Sequence, residues 1–273
     1  MEFLIANGTV AKTDEINLNH FLTESSFRLS QKMWYGYGGI PFFSENMEQI
    51  KSQVEALKLP FPKEFENRRE LLRITKRMLN KNKFYRSGHV HFQLFWFDNK
   101  VQTLITANAF REFDFPFYEP GLLVTTSSLI KNSQNPFNRF LFFNEMLWHA
   151  GLSEIRQSPY QQVLFLNENQ SVCESAGANI FLVKDNKLLT PALSTGCYED
   201  VVRLFILEAA KTAGLQVAEV NSIEEPEIFE MNEIFIASES AGIQWILGVE
   251  NKRFLHYYSG KIHEILVERL SHK

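Results

Sequence analysis

Cysteine is scarce in this sequence, since Cys173 and Cys197 are the only two among 273 residues. Two cysteines are too few for a disulfide framework or a cysteine-rich zinc site. Proline is also sparse, with 9 residues, whereas 45% of the chain is hydrophobic. This composition predicts a folded globular protein in a reducing compartment, which we expect to be the cytoplasm, with room for one large or two modest domains.

A strong charge excess and a long apolar run are also missing. The formal net charge is -4 and the isoelectric point is about 6.0, so the chain lacks the positive field that nucleic acid or an anionic membrane surface requires. No run of about 18 uncharged apolar residues occurs, and the first residues lack a basic-then-apolar signal pattern. We therefore expect no nucleic-acid partner and no membrane association. The 25 phenylalanines are expected to pack in a core or an interface.

Strand and helix patterns alternate along the first part of the chain. Residues 44–59 have apolar positions at helical spacing, and Ser44 suits an N-cap. Residues 88–97 and 100–110 alternate as strands do, and Asp98-Asn99 between them suits a hairpin turn.

A segment with two prolines and a glycine, residues 111–121, interrupts these patterns and predicts a linker. It separates a smaller α+β domain over residues 1–115 from a larger domain over residues 122–273, whose first strand is expected over residues 122–130. The sequence thus predicts a two-domain α/β protein.

The most specific stretch is residues 172–191, VCESAGANIFLVKDNKLLTP, a glutamate-led turn followed by two short apolar strands and a Thr-Pro stop. It resembles the core signature of the fold-type IV pyridoxal-phosphate enzymes, which include branched-chain and D-amino acid aminotransferases and aminodeoxychorismate lyase. The resemblance implies a D-amino acid aminotransferase-like fold with a barrel-like larger domain, and a homodimer. It also assigns to Glu174 the bond to the cofactor's pyridine nitrogen, which keeps the ring cationic.

The resemblance further requires a lysine that forms a Schiff base with the cofactor. Aligned without a gap from Glu174, residues 135–151 lie over the family's lysine helix, and Asn144 keeps a family asparagine. The lysine position then holds Leu141, which has no amine. Lys131, the nearest upstream lysine, precedes the helix, where we expect a solvated side chain. The resemblance thus predicts that no pyridoxal phosphate is covalently attached.

The phosphate-binding positions of the resemblance have also changed. Residues 184–203 are similar to a family turn that binds the cofactor phosphate at a helix N-terminus, but the glycine position holds Asp200, whose carboxylate would repel a phosphate. Gln49 stands where the family has a phosphate-binding arginine. The vestigial cleft that the resemblance implies consists of Glu174, Gln49, Asp200, Val201, Ser238, Ser240 and Asn144.

Two other candidates carry weaker signals. His89 and His91 alternate with Gln93 on one strand, which could suggest a metal or a substrate carboxylate, but without a third ligand we expect ordinary, partly exposed histidines. Cys173 adjoins Glu174, but no histidine base is fixed near it, so a nucleophilic role is not expected.

Three hypotheses for function follow. The first is a degenerate, non-catalytic member that keeps the scaffold and cleft, with room for a small anionic or amino-acid-like ligand. The second is a working aminotransferase or 4-amino-4-deoxychorismate lyase that attaches its cofactor unconventionally. The third is a dimeric interaction protein without a ligand. Independently of these hypotheses, we expect the homodimer interface to bury aromatic surface from the smaller N-terminal domain, because the strand at residues 91–97 is more apolar than one exposed face should be.

Overall fold

The computed structural model describes residues 1–97 and 100–272, so the predicted hairpin turn at Asp98-Asn99 lies outside the described residues. The chain divides into two compact units, Met1–Phe115 and Pro116–Lys273. In the described part of the chain, no helix is long and apolar enough to cross a membrane. The boundary between the units falls within the predicted linker, and the two-domain assignment stays a prediction.

The first unit contains a five-stranded antiparallel sheet with strand order β2-β1-β5-β4-β3. Its elements are β1 (Phe3–Ala6), β2 (Thr9–Lys12), α1 (Leu18–Thr23), β3 (Phe27–Tyr35), α2 (Phe43–Ala56), α3 (Arg68–Lys81), β4 (Gly88–Phe97) and β5 (Lys100–Ala109).

Two expectations for this unit are wrong. Helix α2 begins at Phe43, with Phe42 as an N-cap that makes no side-chain bond, so Ser44 does not cap it. The buried ring of Phe43, 6% exposed, gives the first helical residue a place in the core. Strand β4 buries Phe92 and Trp96 within the chain, at 0% and 1% exposure, so these aromatic side chains do not supply a dimer interface.

The second unit contains a nine-stranded mixed sheet, with path β11-β10-β9-β12-β13-β6-β7-β8 and β14 paired to β13. Its elements are β6 (Phe117–Lys131), α4 (Leu141–Glu154), β7 (Gln162–Asn167), β8 (Val172–Ser175), β9 (Asn179–Lys184), β10 (Lys187–Pro191), α5 (Val202–Thr212), β11 (Gln216–Val220), β12 (Glu233–Ser238), β13 (Gly242–Val249), β14 (Lys252–Arg253) and α6 (Tyr258–Ser271). The predicted α/β class is confirmed, and one of the two sheets is curved into a half-barrel.

Strand β6 is longer at both ends than the predicted strand over residues 122–130. It pairs in parallel with β13 from Phe117 onward, and with β7 as far as Lys131, which faces Asn167. Ser127 and Lys131 are buried, whereas Ser128 and Ile130 between them are exposed. The pairing with β7 is irregular between Thr126 and Ile130, and the inward face changes from Leu122 and Val124 to Ser127 and Lys131.

Candidate functional site

Glu174 lies in the turn-connected pair β8 and β9, at the centre of the second unit. Gly177 turns the chain between these strands with a positive φ of 73°, and Glu174 pairs with Phe165 of β7. The Glu174 side chain is 0% exposed. A fully buried carboxylate is costly unless charge or hydrogen bonds compensate it.

Three donors within the protein compensate the Glu174 carboxylate. The Lys131 ammonium lies 2.8 Å from Oε2, the Trp148 indole Nε1 donates to Oε1 at 2.6 Å, and the Tyr198 backbone N–H donates to Oε2. Lys131 also donates to Oδ1 of Asn144 at 2.9 Å. The arrangement is a buried, hydrogen-bonded ion pair in which both charges have several partners.

The position of Lys131 corrects the sequence prediction of a solvated side chain. Its side chain is 1% exposed and faces Glu174, because β6 extends to residue 131 and its irregularity between Thr126 and Ile130 brings Ser127 and Lys131 to the inward face. Asn144 orients the pair from α4: its Nδ2 donates to the carbonyl oxygens of Asn138 at 2.5 Å and Phe140 at 2.8 Å. This leaves its Oδ1 directed at Lys131.

Leu141 is the first residue of α4. Its half-buried side chain packs against an apolar cluster that includes Trp148, Val163 and Phe165. This position therefore supplies packing and no amine.

Asp200 forms a second buried charged centre. Its Oδ1 accepts hydrogen bonds from the backbone N–H of Val202, the first residue of α5, at 2.9 Å and of Glu239 at 3.0 Å. The Tyr198 hydroxyl also bonds to it, and the residue is 6% exposed. Burial raises the pKa of Asp200 to about 6, although the two backbone donors and Tyr198 act in the opposite direction. The Asp200 carboxylate thus accepts hydrogen bonds at the N-terminus of a helix, a position that favours anions.

The remaining residues of the sequence-predicted set lie on separate elements. Val201 is the buried N-cap of α5. Ser238 is buried, and its Oγ accepts from Ala241 N at 3.2 Å and lies 3.3 Å from the Oγ of exposed Ser240. Gln49 lies on α2 of the first unit, half-buried, and accepts from Gln31 Nε2 at 3.5 Å.

The histidine and cysteine candidates acquire no catalytic setting. His89 is 5% exposed, so the expectation of partial exposure is wrong for this residue. His91 is half-buried, and its pKa is lowered first by burial and second by the charge of Lys32. Among residues 1–97 and 100–272, no group of three or more His, Cys, Asp or Glu could hold a metal ion. Burial raises the thiol pKa well above its ordinary value at Cys173 and to about 11 at Cys197.

Pyridoxal phosphate, the cofactor that the resemblance implies, does not fit this arrangement of side chains. A ring nitrogen at Glu174 would have to displace the Lys131 ammonium, which lies 2.8 Å away. A phosphate at the start of α5 would meet the Asp200 carboxylate, which already accepts from the amides of Val202 and Glu239.

Comparison with known proteins gives the family. The model of amino-transferase class IV matches residues 33–248. A probable branched-chain-amino-acid aminotransferase of Thermotoga maritima is 24% identical over 96% of this chain and 92% of its own length. The branched-chain amino acid aminotransferase of Thermobaculum terrenum, solved in its PLP form, has a TM-score of 0.86 at 18% identity, over 99% of this chain and 94% of the other. A putative 4-amino-4-deoxychorismate lyase of Legionella pneumophila has a TM-score of 0.75 at 17% identity, over 92% of each chain.

These structures share the fold of the described chain. Because the family model spans most of the sequence, the chain belongs to amino-transferase class IV.

Proposed function

We propose that this chain is a non-catalytic member of the class IV aminotransferase family, which folds without covalently bound pyridoxal phosphate. The observation that carries the proposal is the buried contact of 2.8 Å between Lys131 Nζ and Glu174 Oε2. A protein cation thereby neutralises the carboxylate that the resemblance assigns to the cofactor ring.

Leu141 supports the same proposal. Pyridoxal phosphate, when bound, supplies an electron sink for a substrate carbanion, and its aldehyde carbon must be held by an amine. The residue at the start of α4 packs in an apolar cluster and has no such group. Holding the cofactor would therefore require an amine that Leu141 lacks, and keeping its ring protonated would require a carboxylate that Lys131 already neutralises.

A second candidate function deserves a direct test because Lys131 is buried beside the motif glutamate. In this alternative Lys131 is the attachment lysine of an active aminotransferase or 4-amino-4-deoxychorismate lyase. The Lys131 nitrogen lies 2.8 Å from Glu174 Oε2, so attack on the cofactor aldehyde would require Lys131 to leave its contact with Glu174. This cost favours the non-catalytic proposal.

An activity assay separates the two candidates. Purified protein is incubated with pyridoxal phosphate, branched-chain or D-amino acids and a 2-oxo acid acceptor, and in parallel with aminodeoxychorismate. We expect no turnover above the protein-free blank, while a branched-chain aminotransferase assayed alongside provides the positive control. Turnover that disappears in Lys131→Arg, which keeps a cation beside Glu174 but cannot form an imine, would support the second candidate. Turnover that persists in that variant would contradict both assignments.

Repair variants test which cofactor contacts have been lost. We expect Leu141→Lys alone to bind pyridoxal phosphate weakly, because Lys131 still pairs with Glu174 and Asp200 still holds its amide donors. Adding Gln49→Arg and Asp200→Gly should strengthen binding at least about tenfold, the change expected for one regained charge-assisted contact. Aldimine absorbance measured against cofactor concentration gives both affinities. Equal, tight binding by the single variant would show that the phosphate position was never lost.

The oligomeric state and cellular location are part of the proposal. We expect a cytoplasmic homodimer, supported by membership of the family and by the resemblance stated from the sequence. A small anionic or amino-acid-like compound remains the expected ligand class for any open cleft. Light scattering at micromolar concentration measures the mass in solution, and a monomer would contradict the dimer.

A further inference from the structure

We infer that Lys131 and Asp200 supply, from within the protein, the two opposite charges that a pyridoxal phosphate would bring: the cation of its ring nitrogen and the anion of its phosphate. This inference rests on the proposed function. It goes further because it predicts that, when the side chain of Lys131 or Asp200 is removed, a free ion with the same charge as that side chain binds in its place.

The cationic half is built around Lys131. Its ammonium contacts Glu174 Oε2 at 2.8 Å and Asn144 Oδ1 at 2.9 Å. The carboxylate is fixed independently by Trp148 Nε1 at 2.6 Å and by the Tyr198 backbone N–H. Glu174 therefore remains a positioned, buried anion when the lysine is shortened, and such a group requires a cation.

The anionic half is built around Asp200. Two backbone N–H groups from different segments, Val202 at the start of α5 and Glu239 after β12, converge on one carboxylate oxygen. The Tyr198 hydroxyl provides a further bond. Removing the side chain takes away the acceptor that these buried donors share, and a buried donor that loses its acceptor favours any small anion that can reach it.

Tyr198 belongs to both halves. Its backbone N–H donates to Glu174, and its hydroxyl bonds to Asp200. It is buried, with 3% exposure. Tyr198 thus contacts Asp200 itself and Glu174, the carboxylate that pairs with Lys131.

The cationic test uses Lys131→Ala, which removes three methylene groups and the ammonium. The probe is n-propylammonium chloride, which has that composition, and the control is 1-propanol, which has the same shape without the charge. We expect about 50 mM propylammonium to raise the thermal midpoint of Lys131→Ala by about 3 °C or more, and that of the wild type by less than about 1 °C. The double variant Lys131→Ala with Glu174→Gln should not respond, because the anion is gone.

The anionic test uses Asp200→Gly, with sodium acetate as the probe and sodium chloride at equal ionic strength as the control. Acetate matches the deleted group, and inorganic phosphate is the second probe. We expect acetate to raise the thermal midpoint of Asp200→Gly by about 3 °C more than chloride does. Propylammonium should not stabilise this variant.

Each outcome decides the inference. If Lys131→Ala fails to fold alone but folds when propylammonium is present, the inference is supported; if neither the probe nor the control has an effect in either variant, it is overturned. Lys131→Ala as stable as the wild type without any addition would also overturn it. These stability readouts do not involve pyridoxal phosphate, so an active enzyme would refute the proposed function separately, in the turnover assay.

Discussion

Asp200→Asn gives the sharpest test of the energetics of the site, because it keeps the shape of the side chain and removes its charge. The asparagine Oδ1 can still accept from the Val202 and Glu239 amides, which lie 2.9 and 3.0 Å from the native oxygen. The difference in the free energy of unfolding between Asp200→Asn and the wild type therefore measures mainly the cost of ionising Asp200 in its buried position.

The magnitude follows from the pKa of Asp200, which burial raises from 3.8 to about 6. Because the folded-state pKa is the higher one, the folded protein binds more protons between pH 4 and 6, and its free energy of unfolding falls as pH rises through this window. A difference of roughly two pKa units corresponds to about 3 kcal/mol. The wild type should lose about this amount from Asp200 between pH 4 and pH 7, whereas Asp200→Asn should lose nothing at this position.

Urea unfolding followed by tryptophan fluorescence at pH 4.5, 5.5, 6.5 and 7.5 measures the effect. The stability of Asp200→Asn relative to the wild type should increase with pH up to about 6.5 and then level off above the folded-state pKa, by about 2 kcal/mol over the range. Asp185→Asn, at an exposed turn position, is the matched control and should follow the wild type at every pH. A difference for Asp200→Asn that stays constant within about 0.5 kcal/mol would refute the reasoning.

Two further predictions follow from buried groups of the second unit. Lys131→Met should lower the free energy of unfolding by about 3 to 5 kcal/mol, because it leaves the Glu174 carboxylate buried without its cation. The control is Lys187→Met at an exposed position, which should change the free energy of unfolding by less than about 0.5 kcal/mol in the same urea experiment. Equal effects of the two substitutions would contradict the burial argument. Cys173 and Cys197, buried and with raised thiol pKa values, should react with a disulfide reagent at pH 8 only after denaturation; fast labelling of the native protein would be inconsistent with their burial.

The class and family of this chain could be predicted from sequence because their signals are local. The turn after Glu174 and the apolar strands on both sides lie within residues 172–191, and the structure has β8, β9 and β10 there. The family match over residues 33–248 confirms the resemblance that these residues carry.

The environment of Lys131 could not be predicted in the same way, because its partner is distant in sequence. Glu174 and Lys131 meet only after β6 and β7 pair in parallel and β8 is added antiparallel to β7. Alternation from buried Leu122 and Val124 would place residue 130 inward, but the irregularity of β6 between Thr126 and Ile130 shifts the inward face to Ser127 and Lys131. The polar segment after residue 130 resembles a loop in the sequence, so the predicted strand ends there.

The start of helix α2 and the burial of strand β4 also could not be predicted from the sequence, because both depend on tertiary packing. Ser44 suits an N-cap by its side chain, yet the observed N-cap is Phe42, two residues earlier, and the first helical residue, Phe43, is buried. The aromatic side chains of β4 were expected at an interface, since their number exceeds what one sheet face buries in isolation. Packing within the unit covers them, and a linear pattern does not encode which element provides that cover.

The central claim is that the protein holds its own charges where the family holds a cofactor, and borohydride reduction tests it most directly. The purified wild type is incubated with excess pyridoxal phosphate, reduced with sodium borohydride, digested and examined by peptide mass spectrometry, with its absorption spectrum recorded before reduction. The account predicts no aldimine absorbance beyond that of free cofactor and no stoichiometric phosphopyridoxyl peptide. A yellow, reducible protein labelled stoichiometrically at Lys131, or at any other lysine, would contradict it.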